Sequence, residues 1–251
     1  MGRFEKKVVV VTGGSRGLGK AMSLGFAAEG ATVVVASRKL DNCEALVEQI
    51  KSAGGSAIPI AVNMGDADSI DSLVEAVGKQ CGSVDILVNN AGTNIAFGEM
   101  TQLSVEQFDK MYQINLRGPW QLASRLAPSM ADAGGGSIIN IITVGALKPP
   151  AFNGFYAATK AGLEALTKVM AQEWAAKGIR VNAIAPGPYR SDLVDASIAS
   201  IPGFEEGMTE STLLKRIADS EEILNPVFYL ASEANTTGIT LIADGGYMAS
   251  S

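Results

Sequence analysis

The sequence predicts an α/β protein, a single domain built on a parallel sheet with helices on both faces. Three observations carry this. Short β-branched runs alternate along the chain with longer amphipathic stretches. The first of these runs feeds directly into a glycine cluster that opens a helical pattern. No repeat, charge block or low-complexity linker divides the 251 residues, of which 47% are hydrophobic and 18% charged, ample apolar material for one large core.

Seven runs read as strands: Val8–Val11, Thr32–Ala36, Ile58–Val62, Ile86–Val88, Ser137–Ile142, Ile179–Ile184 and Thr240–Ala243. Between them, apolar positions recurring at three and four residues predict helices at Leu40–Ala53, Ile70–Gln80, Val105–Met130 and Tyr156–Ala176. Residues 187–220 carry Pro188 and Pro202 and receive no assignment; a stretch of that length inside a compact domain is expected to be a functional lid. Its carboxylates Asp192, Asp195, Glu205, Glu206 and Glu210 read as a solvated face with no binding role.

Composition narrows the function classes. A formal charge of −6 leaves little pull on nucleic acid or anionic membrane, so small molecules are the expected partners. No window reaches the roughly 18 unbroken apolar residues of a membrane span. Met1–Gly2 lacks the hydroxyl residue at position six that myristoylation needs, and the chain reads as a soluble, unprocessed protein. Cys43 and Cys81 lie far apart, and histidine is absent, so neither a disulfide framework nor a metal site is indicated; a cytoplasmic location fits.

The stretch "VVVVTGGSRGLGKAM" at 8–22 places Gly13, Gly14, Gly17 and Gly19 between a strand and a helix. Glycines there let the backbone turn sharply and approach a pyrophosphate, which the free N–H groups of the helix start can bind. The end of the second strand reads "VVVASRKLDN", with Ser37 and Arg38 where NAD-preferring sites place an acid. A guanidinium fits a ribose 2′-phosphate, and Arg16 in the glycine loop offers a second positive charge, so NADP(H) is favoured over NAD(H).

With no histidine available, proton transfer needs another group. Tyr156 and Lys160 stand four apart in an alanine-rich helical stretch and share one face. A neighbouring ammonium is expected to favour the phenolate and to lower the tyrosine pKa from ~10 toward a useful range. Thr143 presents a hydroxyl at the end of the fifth predicted strand, where a ligand in the crevice would lie.

The motifs "TGGSRGLG" at 12–19, "NNAG" at 89–92, Asn115 in "QINLRG", Thr143 ahead of "YAATK" at 156–160, "PGPYRSD" at 186–192 and "ADGGY" at 243–247 occur in that order. In this the chain resembles the compact branch of the short-chain dehydrogenase/reductases over essentially its whole length. The resemblance implies a Rossmann-like, doubly wound sheet that binds NAD(P)(H). It carries the catalytic roles onto Asn115, Thr143, Tyr156 and Lys160, with threonine in place of the usual serine. It places cofactor contacts at Gly13, Ser15, Arg16, Gly17, Leu18, Gly19, Ser37, Arg38, Asn63, Met64, Asn90, Ala91, Gly92, Tyr156, Lys160, Pro186, Gly187 and Ser191. Asn63 and Ser191 replace a usual aspartate and a frequent threonine.

These readings imply an NADP(H)-dependent ketoreductase, or secondary-alcohol dehydrogenase in reverse, acting on a small carbonyl or alcohol substrate, and by resemblance a homotetramer. Two alternatives stay open: a cofactor-binding regulator that has lost turnover, and a dehydratase or epimerase using transient oxidation. The turn Asp132–Gly136 lacks the basic residues that carrier-dependent reductases commonly place there, which points to a free substrate. Asn89, Asn90 and Gly92 read partly as ties for the central strand, Trp120 and Phe155 as core or interface residues, and Asp244–Gly246 as a turn at a subunit contact. Leu163, Leu166 and Met170 suit either core or interface.

Overall fold

The computed structural model describes residues 2–250, apart from the side chains at 192, 193, 196 and 197. Its seven strands are β1 (Val8–Thr12), β2 (Thr32–Ser37), β3 (Ser56–Ala61), β4 (Ile86–Asn89), β5 (Gly136–Ile141), β6 (Ile179–Pro186) and β7 (Thr240–Ala243). They form one parallel sheet in the order β3-β2-β1-β4-β5-β6-β7. The order reverses between β1 and β4, so the loops leaving those two strands diverge and open a crevice beyond their C-terminal ends.

Valine runs suit β1 and β2 because a parallel strand covered by helices is buried on both faces. The alternation of the pleat sends Val9, Val11, Val33 and Val35 into one core and Val10 and Val34 into the other. Helices α1 (Gly17–Ala28) and α2 (Leu40–Ser52) close the first face, together with α9 (Leu224–Ser232). Helices α3 (Ala67–Cys81), α5 (Gly118–Asp132) and α6 (Gly154–Trp174) close the second. Leu163 and Met170 are buried and Leu166 packs on the second core, so this row of α6 belongs to the interior. Trp120 is half exposed and contributes to neither core.

Two stretches depart from the expected elements. The single helix expected over Val105–Met130 is α4 (Val105–Tyr112) and α5, joined by a π-helical turn at Gln113–Arg117. Pro119 lacks the N–H that an α-helix would give to the carbonyl of Asn115, and the wider turn accommodates that loss. Residues 187–220 contain two short helices, α7 (Asp192–Ser200) and α8 (Phe204–Glu210). Their acidic residues are less idle than composition suggests: Arg190 pairs with Asp195 and Glu205, and Lys215 with Glu210.

The first core is anchored by three rings from distant parts of the chain. Phe26 meets Phe4 at 4.9 Å and Phe228 at 5.0 Å, both edge-on, and Phe4 meets Phe228 at 5.1 Å. Because Phe26 is fully buried and none of the three can shift without uncovering the others, Phe26→Ala should cost about 3–5 kcal/mol. Urea unfolding followed by circular dichroism measures this; a loss under about 1 kcal/mol would show that the site collapses around the gap.

Candidate active site

The glycine loop sits where β1 enters the crevice. Gly19 is packed so closely under it that a Cβ would lie 2.1 Å from the Gly13 carbonyl oxygen, so no other residue fits without moving the loop. Arg16 caps α1 from an extended conformation, without a side-chain hydrogen bond to the first turn and with no acid in that turn. The first N–H groups of the helix are therefore available to an anion. Ser15 Oγ donates to Ser37 Oγ at 3.0 Å, fastening the loop to the end of β2. Arg16 and Arg38 are exposed and make no ion pair among the described residues.

Other residues implied in cofactor contact have their polar groups engaged within the protein. Asn90 Nδ2 donates to the carbonyls of Thr12 and Gly13, and the Ala91 N–H donates to Thr12 Oγ1 at 3.1 Å. These bonds hold the β4 loop against β1. The Met64 side chain is buried in the second core, and Leu18, partly buried, packs against the first. Asn63 is exposed, and its Oδ1 accepts from Gly65 N at 3.1 Å. Pro186 ends β6 and Gly187 follows it, close against Asp244. The Ser191 hydroxyl accepts from Val194 N at the start of α7, and its Cβ faces Gly17 across the crevice.

Four elements bring the proton-handling groups together. The π-helical turn points Asn115 inward, where its Oδ1 accepts from Thr93 N and its Nδ2 donates to the Thr93 carbonyl, both at 2.8 Å. Nδ2 also donates to Thr159 Oγ1 at 3.2 Å, and Thr159 in turn donates to the Tyr156 carbonyl at 2.8 Å. A Cβ at Gly92 would meet Lys160 Nζ at 3.4 Å and Asn115 Oδ1 at 3.5 Å, so the lysine and asparagine converge beneath that glycine. Thr143 follows β5; its Oγ1 accepts from Gly145 N at 3.2 Å, which leaves the hydroxyl proton free to donate. Thr159 stands inside the "YAATK" motif, which assigns it no role of its own, although it lies three residues from Tyr156 and hence on the same side of α6.

The expected lowering of the tyrosine pKa is reversed. Burial pushes the Tyr156 phenol up to about 12, and it lowers the Lys160 ammonium to about 8. Lys160 Nζ donates at 2.7 Å to the Ile141 carbonyl and stands 5.9 Å from the centre of the tyrosine ring, so its charge is directed at the strand and not at the phenol oxygen. Tyr156 is consequently held as a neutral acid across the physiological range, able to donate a proton. Beside these groups lies a cavity of about 550 Å³ whose lining includes Thr143, Asn153, Pro188, Phe204, Met208 and Tyr247.

The lysine shift sets a pH dependence. Between pH 8 and its unfolded pKa of 10.5, Lys160 is protonated in the unfolded chain and neutral in the folded one, so its contribution to stability rises with pH. The tyrosine acts oppositely, but only above pH 10. Lys160→Met removes the first effect. The stability of the parent relative to this variant should therefore improve by at least about 1 kcal/mol from pH 7 to pH 10. Denaturant titrations at the two pH values check this, and a constant difference would mean that Lys160 folds without a shift.

Comparison with known proteins places this arrangement. Residues 7–200 match the family model for short chain dehydrogenases. The chain is 38% identical over 245 residues to a 3-oxoacyl-[acyl-carrier-protein] reductase, FabG, of Staphylococcus epidermidis, covering 96% of this chain and 98% of that protein. It is 34% identical over 256 residues to the oxidoreductase YxbG of Bacillus subtilis, covering 99% and 93%. It is also similar to the structure of L-sorbose reductase from Gluconobacter frateurii in complex with NADPH and L-sorbose, with a TM-score of 0.93, 30% identity, and 99% and 98% coverage. The chain is a member of the short chain dehydrogenase family of NAD(P)(H)-dependent oxidoreductases, and its parallel sheet is that of the similar solved structures.

Proposed function

We propose that the protein is an NADP(H)-dependent carbonyl reductase, or secondary-alcohol dehydrogenase in reverse, acting on a free small molecule. The observation that carries this reading is the convergence of Asn115, Lys160, Thr159 and the start of α6 around a tyrosine kept protonated by burial. When bound, the reduced nicotinamide supplies the hydride. Thr143 donates a hydrogen bond to the carbonyl oxygen, and Tyr156 delivers the proton to the developing alkoxide. Lys160 holds the nicotinamide ribose and stabilises the charge that appears on Tyr156. Asn115 fixes the first turns of α6 through Thr159.

The glycine loop and the free N–H groups of α1 suit a pyrophosphate. Arg38, Ser37 and Arg16 suit a 2′-phosphate, and no carboxylate stands at the end of β2 to prefer the bare ribose. The relative solved with NADPH supports the same choice. The staphylococcal relatives reduce carrier-bound substrates by name, but the turn at 132–136 carries no cation of its own, Lys177 is the one obvious candidate near it, and the chain is acidic overall. Residues 187–220 serve as the lid over the cavity. The exposed apolar side chains Val105, Phe108, Tyr112 and Val169 on α4 and α6 support a homotetramer, and two unpaired cysteines suit the cytoplasm.

Two substitutions test the chemistry and one tests the cofactor. Thr143→Val keeps the shape and removes the donor, so kcat should fall by about 10²–10³ with NADPH affinity nearly unchanged. Tyr156→Phe should abolish turnover more completely. A Thr143→Val enzyme as fast as its parent would make that residue wall and leave polarisation to Tyr156. Arg38→Asp should lower the NADPH-to-NADH ratio of kcat/KM at least about tenfold, since a charge-assisted contact of ~1.5–3 kcal/mol is replaced by repulsion. An unchanged ratio would reduce Arg38 to a solvated surface residue.

A further inference from the structure

The cavity beside Thr143 has an uneven chemistry. Ile201, Pro202, Phe204 and Met208 from the lid segment make part of its lining apolar, and among the described residues no charged side chain lines it. One of its polar members is misplaced by the ordinary rules of helix starts. Asn153 occupies the cap position of α6, where asparagine is among the strongest capping residues, yet its side chain makes no bond to the first turn. Instead its Oδ1 accepts from Asn94 Nδ2 at 2.9 Å, across 59 residues of sequence, from the loop that follows β4. The cap has been given up for a contact that joins Asn153, which lines the cavity, to the exposed Asn94 beside it.

This amide couple retains hydrogen-bonding capacity of both kinds. With one bond spent between them, Asn153 Nδ2 still has donors and Asn94 Oδ1 an acceptor site. A hydroxyl, which donates and accepts, satisfies both; a carboxylate or phosphate offers no proton to Asn94 and meets no cation in the cavity. Asn153 stands three residues before Tyr156 on the same side of α6, an axial offset of about 4.5 Å. That nearness favours a hydroxyl close to the carbonyl that Tyr156 protonates.

We propose that Asn153 and Asn94 form a specificity subsite for a neutral hydroxyl group adjacent to the reacting carbonyl, which makes hydroxyketones the substrate class. The proposal rests on the reductase reading above. The apolar lid residues then cover the remaining carbon skeleton, and the lack of charge in the lining excludes sugar phosphates and keto acids as preferred substrates.

The test compares 1-hydroxy-2-butanone and 4-hydroxy-2-butanone with 2-butanone, following NADPH absorbance. For the parent, kcat/KM for at least one hydroxyketone should exceed that for 2-butanone by about tenfold or more, a modest fraction of what a site built around a substrate hydroxyl can reach. Asn153→Ala and Asn94→Ala should each reduce this ratio at least about fivefold, mainly through KM, and the double variant should lose little more because the pair acts as a unit. Asn153→Ser separates recognition from folding. Serine caps a helix as well as asparagine does but is too short to reach Asn94, so the ratio should fall although α6 starts normally. A ratio that survives in Asn153→Ser, an inert Asn94→Ala, or a parent indifferent to the hydroxyl while reducing other ketones would each overturn the subsite alone. A parent that binds NADPH by fluorescence but oxidises it with no carbonyl in a broad panel would overturn the reductase reading and the subsite with it.

Discussion

The active side of this molecule depends on burying one ammonium group. Lys160 is 2% exposed, and among the described residues it donates to the Ile141 carbonyl and no carboxylate pairs with it. Such burial is costly unless the surroundings are rigid and polar in the right places. The neighbouring elements can be understood from that demand. The β4 loop is fastened to β1 through Thr12 and Asn90, and Asn89 Nδ2 donates to Asn140, whose own amide donates to Thr167 on α6. These bonds couple the strand ends to the helix that carries Lys160, so the ammonium cannot escape to water by a small movement of α6.

The same confinement explains why tyrosine, and not histidine, suits this site. A phenol that is raised to about 12 by burial stays neutral and donates a proton on demand, whereas a buried imidazole would lose its proton first. The lysine moves the other way, toward neutrality, because burial penalises whichever form is charged. Charge introduced near these two groups by a bound ligand therefore acts in a medium of low dielectric, where it shifts both more strongly than it would at the surface. Proximity in sequence told correctly that the pair shares a face; it could not tell that the ammonium would turn to a strand carbonyl.

That contrast marks what was legible in the sequence. The strands were readable because burial on both faces demands β-branched runs, and their ends moved by only one or two residues. The glycine loop, Tyr156, Lys160 and Thr143 could be placed from their offsets to a strand or within a helix, whereas Asn115 rested on the family resemblance alone. The π-helical turn was hidden, since Gln113–Arg117 continues the apolar period of a helix and only Pro119 hints at the break. The helices α7 and α8 were hidden because each is short, α8 buries no residue fully, and ion pairs of Arg190 and Lys215 engage their acidic residues, which no periodicity reveals. Contacts such as Asn94 with Asn153, and the approach of Tyr247 to the cavity, join segments far apart in the chain and exist only once the sheet has ordered them.

The molecule thus separates a buried floor from a cover of two short helices. The floor is built from buried amide and hydroxyl bonds that are expensive to leave unmade, and it fixes the groups that handle the proton. The cover is braced within itself by the ion pairs of Arg190 with Asp195 and Glu205, and it meets the floor through Leu214 N, which donates to the Gly245 carbonyl, and through the Ser211 carbonyl, which accepts from the Ser250 hydroxyl. Thr143 lies at the boundary: it follows β5, its Oγ1 is steadied by Gly145 N, and its side chain lines the cavity together with residues of the cover. Threonine differs from serine there by a methyl group, which takes space on the side of the floor. On the proposed reading, reactivity is set by the floor, and the range of substrates by the space that the cover and Asn153 leave above it.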